Sequence, residues 1–175
     1  MNILFIAQYF SPEIGALAAR ASELADHWSR QEHHVQVLTG FPNYPSGKVP
    51  VPYRRKIWKL VHREKKDGYH VLRTWLTTFS NRTTLGRIAG YSSFFLSTCL
   101  SGALFTRPEI IIGSSPPLTV GLAGWVLSKL KNVPFVFEVR DLWPDSITAS
   151  GVGHSESLLM QTLRKMALFL YRHCD

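Results

Sequence analysis

The strongest chemical signal in the sequence is a group of charged side chains in the stretch EVRDLWPD. Arg140, Asp141 and Asp145 follow an apolar run, at the point where a strand is expected to end. A carboxylate in that position could accept a proton or orient a hydroxyl group of a substrate. The same residues would also fit a helix cap or a salt bridge between Asp141 and Arg140, so a functional and a structural interpretation both stay open.

A second candidate site is the stretch FSPEIGALAAR, where a strand breaks and a helix begins. Gly15 would allow the backbone to approach a ligand closely, and the free N–H groups of a helix start favour a phosphate. The sequence has no GxGxxG pattern and no acidic residue at the end of the second predicted strand, Leu38–Gly40. A nicotinamide-dinucleotide site would need both, so the choice lies between an anion site and an ordinary turn.

These stretches need a scaffold, and the chain alternates apolar strand-like runs with helical patterns. The pattern predicts strands over residues 3–9, 33–40, 56–64, 69–76, 109–115 and 135–141, and helices over 16–31, 83–106, 118–132 and 155–174, with Ser155 as N-cap. The segment 40–53 is too rich in proline and glycine for a helix or a central strand. The alternation predicts an α/β, Rossmann-like, doubly wound and mainly parallel sheet with helices on both faces.

In such sheets the ligand site lies beyond the carboxyl ends of the strands. We therefore expect four stretches to meet along one rim of the sheet: residues 11–16, 40–47, 113–117 and 141–145.

The net charge of +8 is concentrated in one segment. Residues 53–87 contain ten Lys or Arg and two Asp or Glu, which accounts for the whole excess. A local patch of this kind suits an anionic lipid, a nucleic acid or a phosphorylated substrate, although a solvated surface hairpin would also explain it. No nucleic-acid-binding motif accompanies the charge. The predicted membrane or anion patch comprises Arg54, Arg55, Lys56, Lys59, Arg63, Lys65 and Lys66.

Several other classes of protein are disfavoured. Cys99 and Cys174 form no CxxC pair, and the histidines have no metal-ligand spacing, so no metal and no cofactor is expected.

The uncharged stretch between Arg87 and Arg107 is long enough to span a bilayer, but serine, threonine and glycine dilute it. A buried crossover helix is the favoured interpretation there, and a role at a membrane surface stays open.

Four stretches together resemble retaining glycosyltransferases of the GT-B fold, family 4: FIAQYFSPEIGALAARASELA, HHVQVLTGFPNYPSGKV, SSPPLTVGLAG and FVFEVRDLWPDS. They look closest to bacterial O-antigen fucosamine transferase and colanic-acid transferase types. Those enzymes have two Rossmann-like domains on either side of a cleft. The resemblance implies that residues 1–175 form one N-terminal, acceptor-side domain, and that the C-terminal nucleotide-sugar-binding domain is missing.

The resemblance also implies roles for individual residues. The loop of Glu13, Ile14, Gly15 and Ala16 would face the phosphates of the donor, and Arg20 would help to position that loop. Asp141 would be the catalytic carboxylate near the reacting centre. The remaining acceptor or cleft residues would be Phe41, Asn43, Tyr44, Ser114, Ser115, Arg140, Trp143 and Asp145.

The function that follows is sugar transfer from a UDP- or GDP-linked donor, without a bound metal, to a polyprenyl-diphosphate-linked saccharide in bacterial surface polysaccharide synthesis. The transferred group would be a hexosyl or N-acetylhexosaminyl unit, and the 175 residues alone would be inactive. The implied partners are the lipid-linked acceptor, an anionic membrane surface and the missing donor domain, at the cytoplasmic face of the plasma membrane. The alternative is a non-enzymatic module that docks on a membrane or a partner.

Overall fold

The computed structural model describes residues 1–66, 68–78, 83–143 and 158–175. Within these residues, one six-stranded sheet forms the centre of the fold. The strands are β1 (Asn2–Ile6), β2 (His34–Gly40), β3 (Val61–Lys66), β4 (Tyr69–Thr74), β5 (Ile110–Ser114) and β6 (Phe135–Glu138). Their order is β3-β4-β2-β1-β5-β6; all neighbours are parallel except β3, which pairs antiparallel with β4 at the edge.

The helices that the structure describes are α1 (Ala16–Arg30), α2 (Val51–Arg54), α3 (Thr84–Phe105), α4 (Leu118–Lys131) and α5 (Leu158–His173). They cover both faces of the sheet, because each central strand has apolar side chains on both sides. On β1, Phe5 packs with Ala21, Ala25 and Trp28 of α1, whereas Leu4 and Ile6 belong to a second cluster with α3, α4 and α5. The predicted doubly wound, mainly parallel sheet is confirmed.

Three local predictions were wrong. The loop after β2 contains the short helix α2, because Pro52 lies in its first turn, where a missing N–H costs nothing. Residues 56–60 form turns, so β3 begins at Val61 rather than at residue 56. β6 ends at Glu138 and does not reach Asp141. The helix predicted from residue 155 is described from Leu158, and Ser155 lies outside the described residues.

The crossover helix α3 buries Phe94 together with small polar residues, and it exposes several leucines. Ser93, Ser97 and Ser101 are buried, whereas Leu96, Leu100 and Leu104 face outward. The small side chains allow close approach to α4: a Cβ added at Gly102 would lie 2.5 Å from Leu127. The Ser97 hydroxyl donates to backbone carbonyls, which satisfies its polar group without water. No helix among the described residues is long and apolar enough to cross a bilayer.

A buried arginine connects the edge of the sheet to its rim. Arg73 of β4 is fully buried, and its Nε donates to Glu64 of β3 at 2.9 Å. One Nη donates to the carbonyl of Gly40 at 3.3 Å and the other to the carbonyl of Ser11. The guanidinium carbon lies 5.0 Å from the centre of the Tyr53 ring. One side chain therefore holds the loops that follow β1 and β2 against β3 and β4.

We expect Glu64→Gln to lower the free energy of unfolding by about 3 kcal/mol, because it leaves a buried guanidinium without its counter-charge. Urea denaturation monitored by circular dichroism measures this change. Lys65→Gln, on the exposed side of the same strand, is the control and should change stability by less than about 0.5 kcal/mol. Equal, small effects of the two substitutions would show that the ion pair does not stabilise the fold.

Candidate functional site

The candidate site lies at the topological switch point of the sheet, where the direction of the strand order reverses. From β1 the chain continues to β2 on one side and later returns to β5 on the other. The carboxyl ends of β1 and β5 therefore flank a crevice, which is where ligands bind in sheets of this kind. Residues 11–16, 40–47, 113–117 and 141–143 lie at or after the carboxyl ends of parallel strands at this rim, as predicted, and residues 144 and 145 of the fourth predicted stretch lie outside the described residues. The crevice is lined by Ala7, Gln8, Tyr9, Leu17, Ser114, Ser115, Pro116 and Arg140.

Glu13 points inward and joins two loops of the rim. One carboxylate oxygen accepts the backbone N–H groups of Asn43 and Tyr44, at 2.9 and 2.8 Å. The other oxygen accepts the N–H of Phe10 at 3.2 Å. Burial raises the pKa of Glu13 above its usual value, although these N–H groups act in the opposite direction. Glu13 thus shapes the loop, and Ile14, Gly15 and Ala16 form its exposed surface.

The helix α1 begins at this loop with its positive end uncompensated. Gly15 has φ 146° and ψ 161°, a backbone conformation that a side chain would strain. No side chain caps the helix, and its first turn contains no acidic residue. The first N–H groups of a helix lack partners within it, so this start offers hydrogen-bond donors and a partial positive charge to an anion.

Arg20 pairs with the end of β6 instead of contacting the loop. Its Nε donates to Oε1 of Glu138 at 2.9 Å, and its Nη2 contacts the same oxygen. Glu138 is the last residue of β6. Its Oε2 is buried and has no hydrogen-bond partner among the described residues. The pair therefore fixes the first turns of α1 relative to the end of β6.

The loops after β5 and β6 are connected by Ser115. Its N–H donates to the carbonyl of Glu138 at 3.0 Å, and its hydroxyl accepts the N–H of Arg140 at 3.0 Å. Asp141 is exposed, and its carbonyl accepts the N–H of Trp143 at 2.8 Å. Among the described residues Asp141 forms no ion pair, so the alternative salt bridge to Arg140 is not present. Asp145 lies outside the described residues.

The loop after β2 has both buried and exposed members. Phe41 is buried in the core and stacks on His62, with ring centres 6.3 Å apart. The buried Asn43 side chain donates to the carbonyl of Phe41 at 2.9 Å. Tyr44 is exposed and lies 5.3 Å from the ring of Tyr9. Of these predicted cleft residues, only Tyr44 is placed to contact a ligand directly.

The structure divides the predicted basic patch. Arg54, Arg55, Lys56 and Lys59 lie in and after α2, at the rim of the sheet. Lys66 turns inward and donates to the hydroxyl of Ser11 at 3.0 Å. The strand alternation places Arg63 and Lys65 on the opposite face of β3 from Lys66.

Sequence reasoning missed the charged pairs that support the rim, Arg73 with Glu64 and Arg20 with Glu138. An arginine within the apolar strand YHVLRT was the available signal, because a charge in such a position is rarely buried without a partner. It also missed Tyr9, whose hydroxyl interacts with Tyr91 of α3. Burial is the main reason that the pKa of Tyr9 lies far above its usual range, and Tyr91 adds to the effect.

Comparison with known proteins identifies the family. Residues 15–175 match the family model described as a glycosyl transferase 4-like domain, and the chain belongs to this family. The predicted glycosyltransferase family is thus confirmed. Comparison with curated protein sequences gave no significant match.

Solved structures show the same fold. Sucrose-phosphate synthase from Thermosynechococcus elongatus matches 98% of this chain and 39% of its own, with 12% identity and a TM-score of 0.60. The catalytic domain of starch synthase IV from Arabidopsis thaliana, bound to ADP and acarbose, matches 78% of this chain and 33% of its own. Its identity is 13% and its TM-score 0.53. The chain therefore spans about a third to two fifths of the length of these proteins.

The raised pKa of Glu13 predicts how stability depends on pH. The folded state retains this proton at pH values where the unfolded chain has released it. The linked stabilisation is complete below about pH 4 and is lost as the pH rises through the folded-state pKa. As the pH rises from about 4 through the folded-state pKa, the free energy of unfolding of wild type should fall relative to that of Glu13→Gln. At higher pH the difference between the two proteins should stay constant.

Urea denaturation of both proteins between pH 4 and pH 8 tests this expectation. Glu23→Gln, on the exposed side of α1, controls for the loss of one negative charge. A stability difference between wild type and Glu13→Gln that stays constant over the whole range would contradict the prediction.

Proposed function

We propose that this domain forms the acceptor-side half of a retaining glycosyltransferase that uses a UDP- or GDP-linked sugar. The proposed acceptor is a polyprenyl-diphosphate-linked saccharide in bacterial surface polysaccharide synthesis, of the O-antigen or colanic-acid type. The observation that carries the proposal is the meeting of the uncapped start of α1 and the exposed Asp141 loop on either side of one crevice. Membership of the glycosyl transferase 4-like family supports the same reaction class.

The geometry suggests how the charges would be used. The donor diphosphate would lie against the exposed backbone at Gly15 and the first N–H groups of α1, which complement negative charge. Arg20 and Glu138 would keep that helix start at a fixed distance from the Asp141 loop. In a front-face displacement the acceptor hydroxyl bonds to the anomeric carbon as the bond to the donor phosphate breaks, and the departing phosphate takes the hydroxyl proton. Asp141 would orient the acceptor for this step.

We expect the 175 residues alone to give no turnover with a nucleotide sugar and a lipid-linked acceptor, because one wall of a two-domain cleft cannot hold both substrates. Supplying a nucleotide-sugar-binding domain, by fusion or in trans, should restore transfer, measured as labelled sugar in the lipid fraction. Turnover by the 175 residues alone would contradict this expectation. Failure of every two-domain combination would favour the alternative, a docking module without activity.

In an active two-domain protein, Asp141→Ala should lower turnover by about 100-fold or more, because the acceptor would lose the group that orients it. Its free energy of unfolding should change by less than about 0.5 kcal/mol, because Asp141 is exposed and unpaired among the described residues. Leu142→Ala, at the exposed neighbouring position, is the matched control and should retain activity. Parallel losses of stability and turnover in Asp141→Ala would assign a structural role to this carboxylate.

A peripheral position on an anionic membrane, at the cytoplasmic face, completes the proposal. Two surfaces support it. The basic group Arg54, Arg55, Lys56 and Lys59 lies at the rim beside the exposed Trp58, and lysine, arginine and tryptophan together suit the headgroup region. The outward leucines of α3 form a second, apolar surface.

We expect the chain to sediment with phosphatidylglycerol vesicles at low salt and to be released at high salt. Each engaged cation contributes about 1 kcal/mol near an anionic surface, and the Debye length falls from about 10 Å at 0.1 M to about 3 Å at 1 M. Phosphatidylcholine vesicles should retain much less protein. Changing Arg54, Arg55, Lys56 and Lys59 together to Gln should abolish the difference between the two lipids.

The matched control changes four exposed cations elsewhere, Arg30, Lys129, Lys165 and Arg172, to Gln, and should bind like wild type. Retention that survives 1 M salt would assign binding to the leucines of α3 instead. Absence of binding to either vesicle would refute the membrane proposal.

A further inference from the structure

An open groove lies at the carboxyl end of β4, on the same rim as the candidate site. One wall is formed by residues 47–58, which include α2, and the other by residues 75–78, which continue from β4. Its volume is about 610 Å³, within the range of about 300–1,000 Å³ that small-molecule sites occupy. The proposed function uses two of its lining residues, Arg54 and Trp58, at the membrane surface, but assigns no ligand to the groove itself.

The surface of the groove is mainly apolar. Leu76 is buried at its base, and Ile57 packs against the same hydrophobic cluster, so the groove opens part of the core to the surface. Trp58 is 86% exposed and Trp75 is 38% exposed at its edge. Two accessible indoles beside aliphatic side chains form the kind of exposed apolar patch that marks a binding site.

The charged groups of the groove are all positive. Lys48 and Arg54 line it, and no carboxylate is present among its described lining residues. The Nε of Arg54 donates to the carbonyl of Val49 at 3.2 Å, which holds the side chain along the groove. Its Nη atoms form no hydrogen bond or ion pair with described residues. The groove thus combines an apolar bed with cationic groups suited to phosphate oxygens.

This combination fits a lipid better than a sugar. A saccharide pocket pairs aromatic rings with carboxylates or amides that bind hydroxyl groups. The described lining has no carboxylate or amide side chain; besides the two cations, its polar side-chain groups are the hydroxyls of Thr77 and Thr78 and the indole N–H groups of Trp58 and Trp75. An unbranched or isoprenoid hydrocarbon needs no such partners and gains free energy from contact with the indoles.

We propose that this groove binds the isoprenoid chain of a lipid-linked acceptor, with the phosphate or diphosphate at Lys48 and Arg54. The inference rests on the proposed function for the identity of the lipid. Only β2 separates β4 from β1, so the groove lies roughly 10 Å along the rim from the crevice at β1. The Asp141 loop follows β6, two strands beyond β1, so a saccharide attached to the bound diphosphate would have to extend roughly 20 Å along the rim to reach it.

The test is binding of farnesyl diphosphate to the 175-residue chain, followed by tryptophan fluorescence and calorimetry without vesicles or donor. We expect Trp58→Gln and Arg54→Gln each to weaken binding by about tenfold or more. Trp58→Gln removes an apolar contact with the isoprenoid chain, and Arg54→Gln removes a cation that contacts the diphosphate. Farnesol and inorganic diphosphate should each bind far more weakly than farnesyl diphosphate. Leu130→Gln and Lys129→Gln, at exposed positions of α4, are matched controls and should bind like wild type.

Val49→Glu is a second variant for the case in which a tryptophan substitution disturbs folding, and its negative charge should exclude the ligand. Three results would overturn the inference: equal binding of inorganic diphosphate and farnesyl diphosphate, no effect of Trp58→Gln, or competition by a free saccharide. Because the assay measures no transfer, groove binding without sugar transfer in a two-domain protein would refute only the proposed function. Sugar transfer without binding of farnesyl diphosphate in the groove would refute only the proposed role of the groove.

Discussion

The position of the rim depends on one buried charge, the guanidinium of Arg73. A charge inside a protein is tolerated only when its donors are satisfied and a counter-charge is near. Glu64 supplies the counter-charge and accepts from Nε, while the carbonyls of Gly40 and Ser11 each accept one N–H from the two Nη atoms. Gly40 is the last residue of β2, and Ser11 lies in the loop that follows the neighbouring strand β1. The need to satisfy Arg73 therefore restricts how the first two loops of the site can be arranged.

Two carboxylates extend this arrangement around the crevice. Glu13 binds backbone N–H groups of the loop after β2, and Glu138 binds Arg20 on α1. Both act within the protein, which leaves the exposed backbone at Gly15 and the carboxylate of Asp141 available to a ligand. Polar groups held in advance in this way lose little free energy to reorganisation when a charged substrate arrives. The charged residues of the rim thus fall into a supporting set and an exposed set.

The outer surface follows from packing constraints of a different kind. Close approach of α3 to α4 requires small residues such as Gly102 between them, so the leucines of α3 face outward. The groove beside Trp58 likewise leaves apolar surface exposed at the end of β4. Arg54 of α2 lines that groove, and further basic side chains follow α2 in the sequence. Apolar and cationic surface thus adjoin at one end of the rim, next to the crevice of the candidate site.

The sequence by itself was sufficient to predict the parallel sheet and the rim. Short apolar runs such as NILFI alternate with helical patterns, and the period of each pattern is local, so it can be recognised without the fold. The loops that follow parallel strands must then meet at one edge. The glycine at the start of α1 and the asparagine at the end of α4 are equally local signals, and Asn132 has the left-handed conformation that ends a helix.

Tertiary structure alone decided which partner each charge has. Glu13 meets Asn43 across 30 residues of chain, Arg20 meets Glu138 across 118, and Arg73 meets Ser11 across 62. No local pattern specifies such pairs, because they depend on strand order and on the side to which each loop folds. The outward face of α3 was decided in the same way: its apolar residues surround the helix, and only the fit of its small residues against α4 determined which of them face solvent.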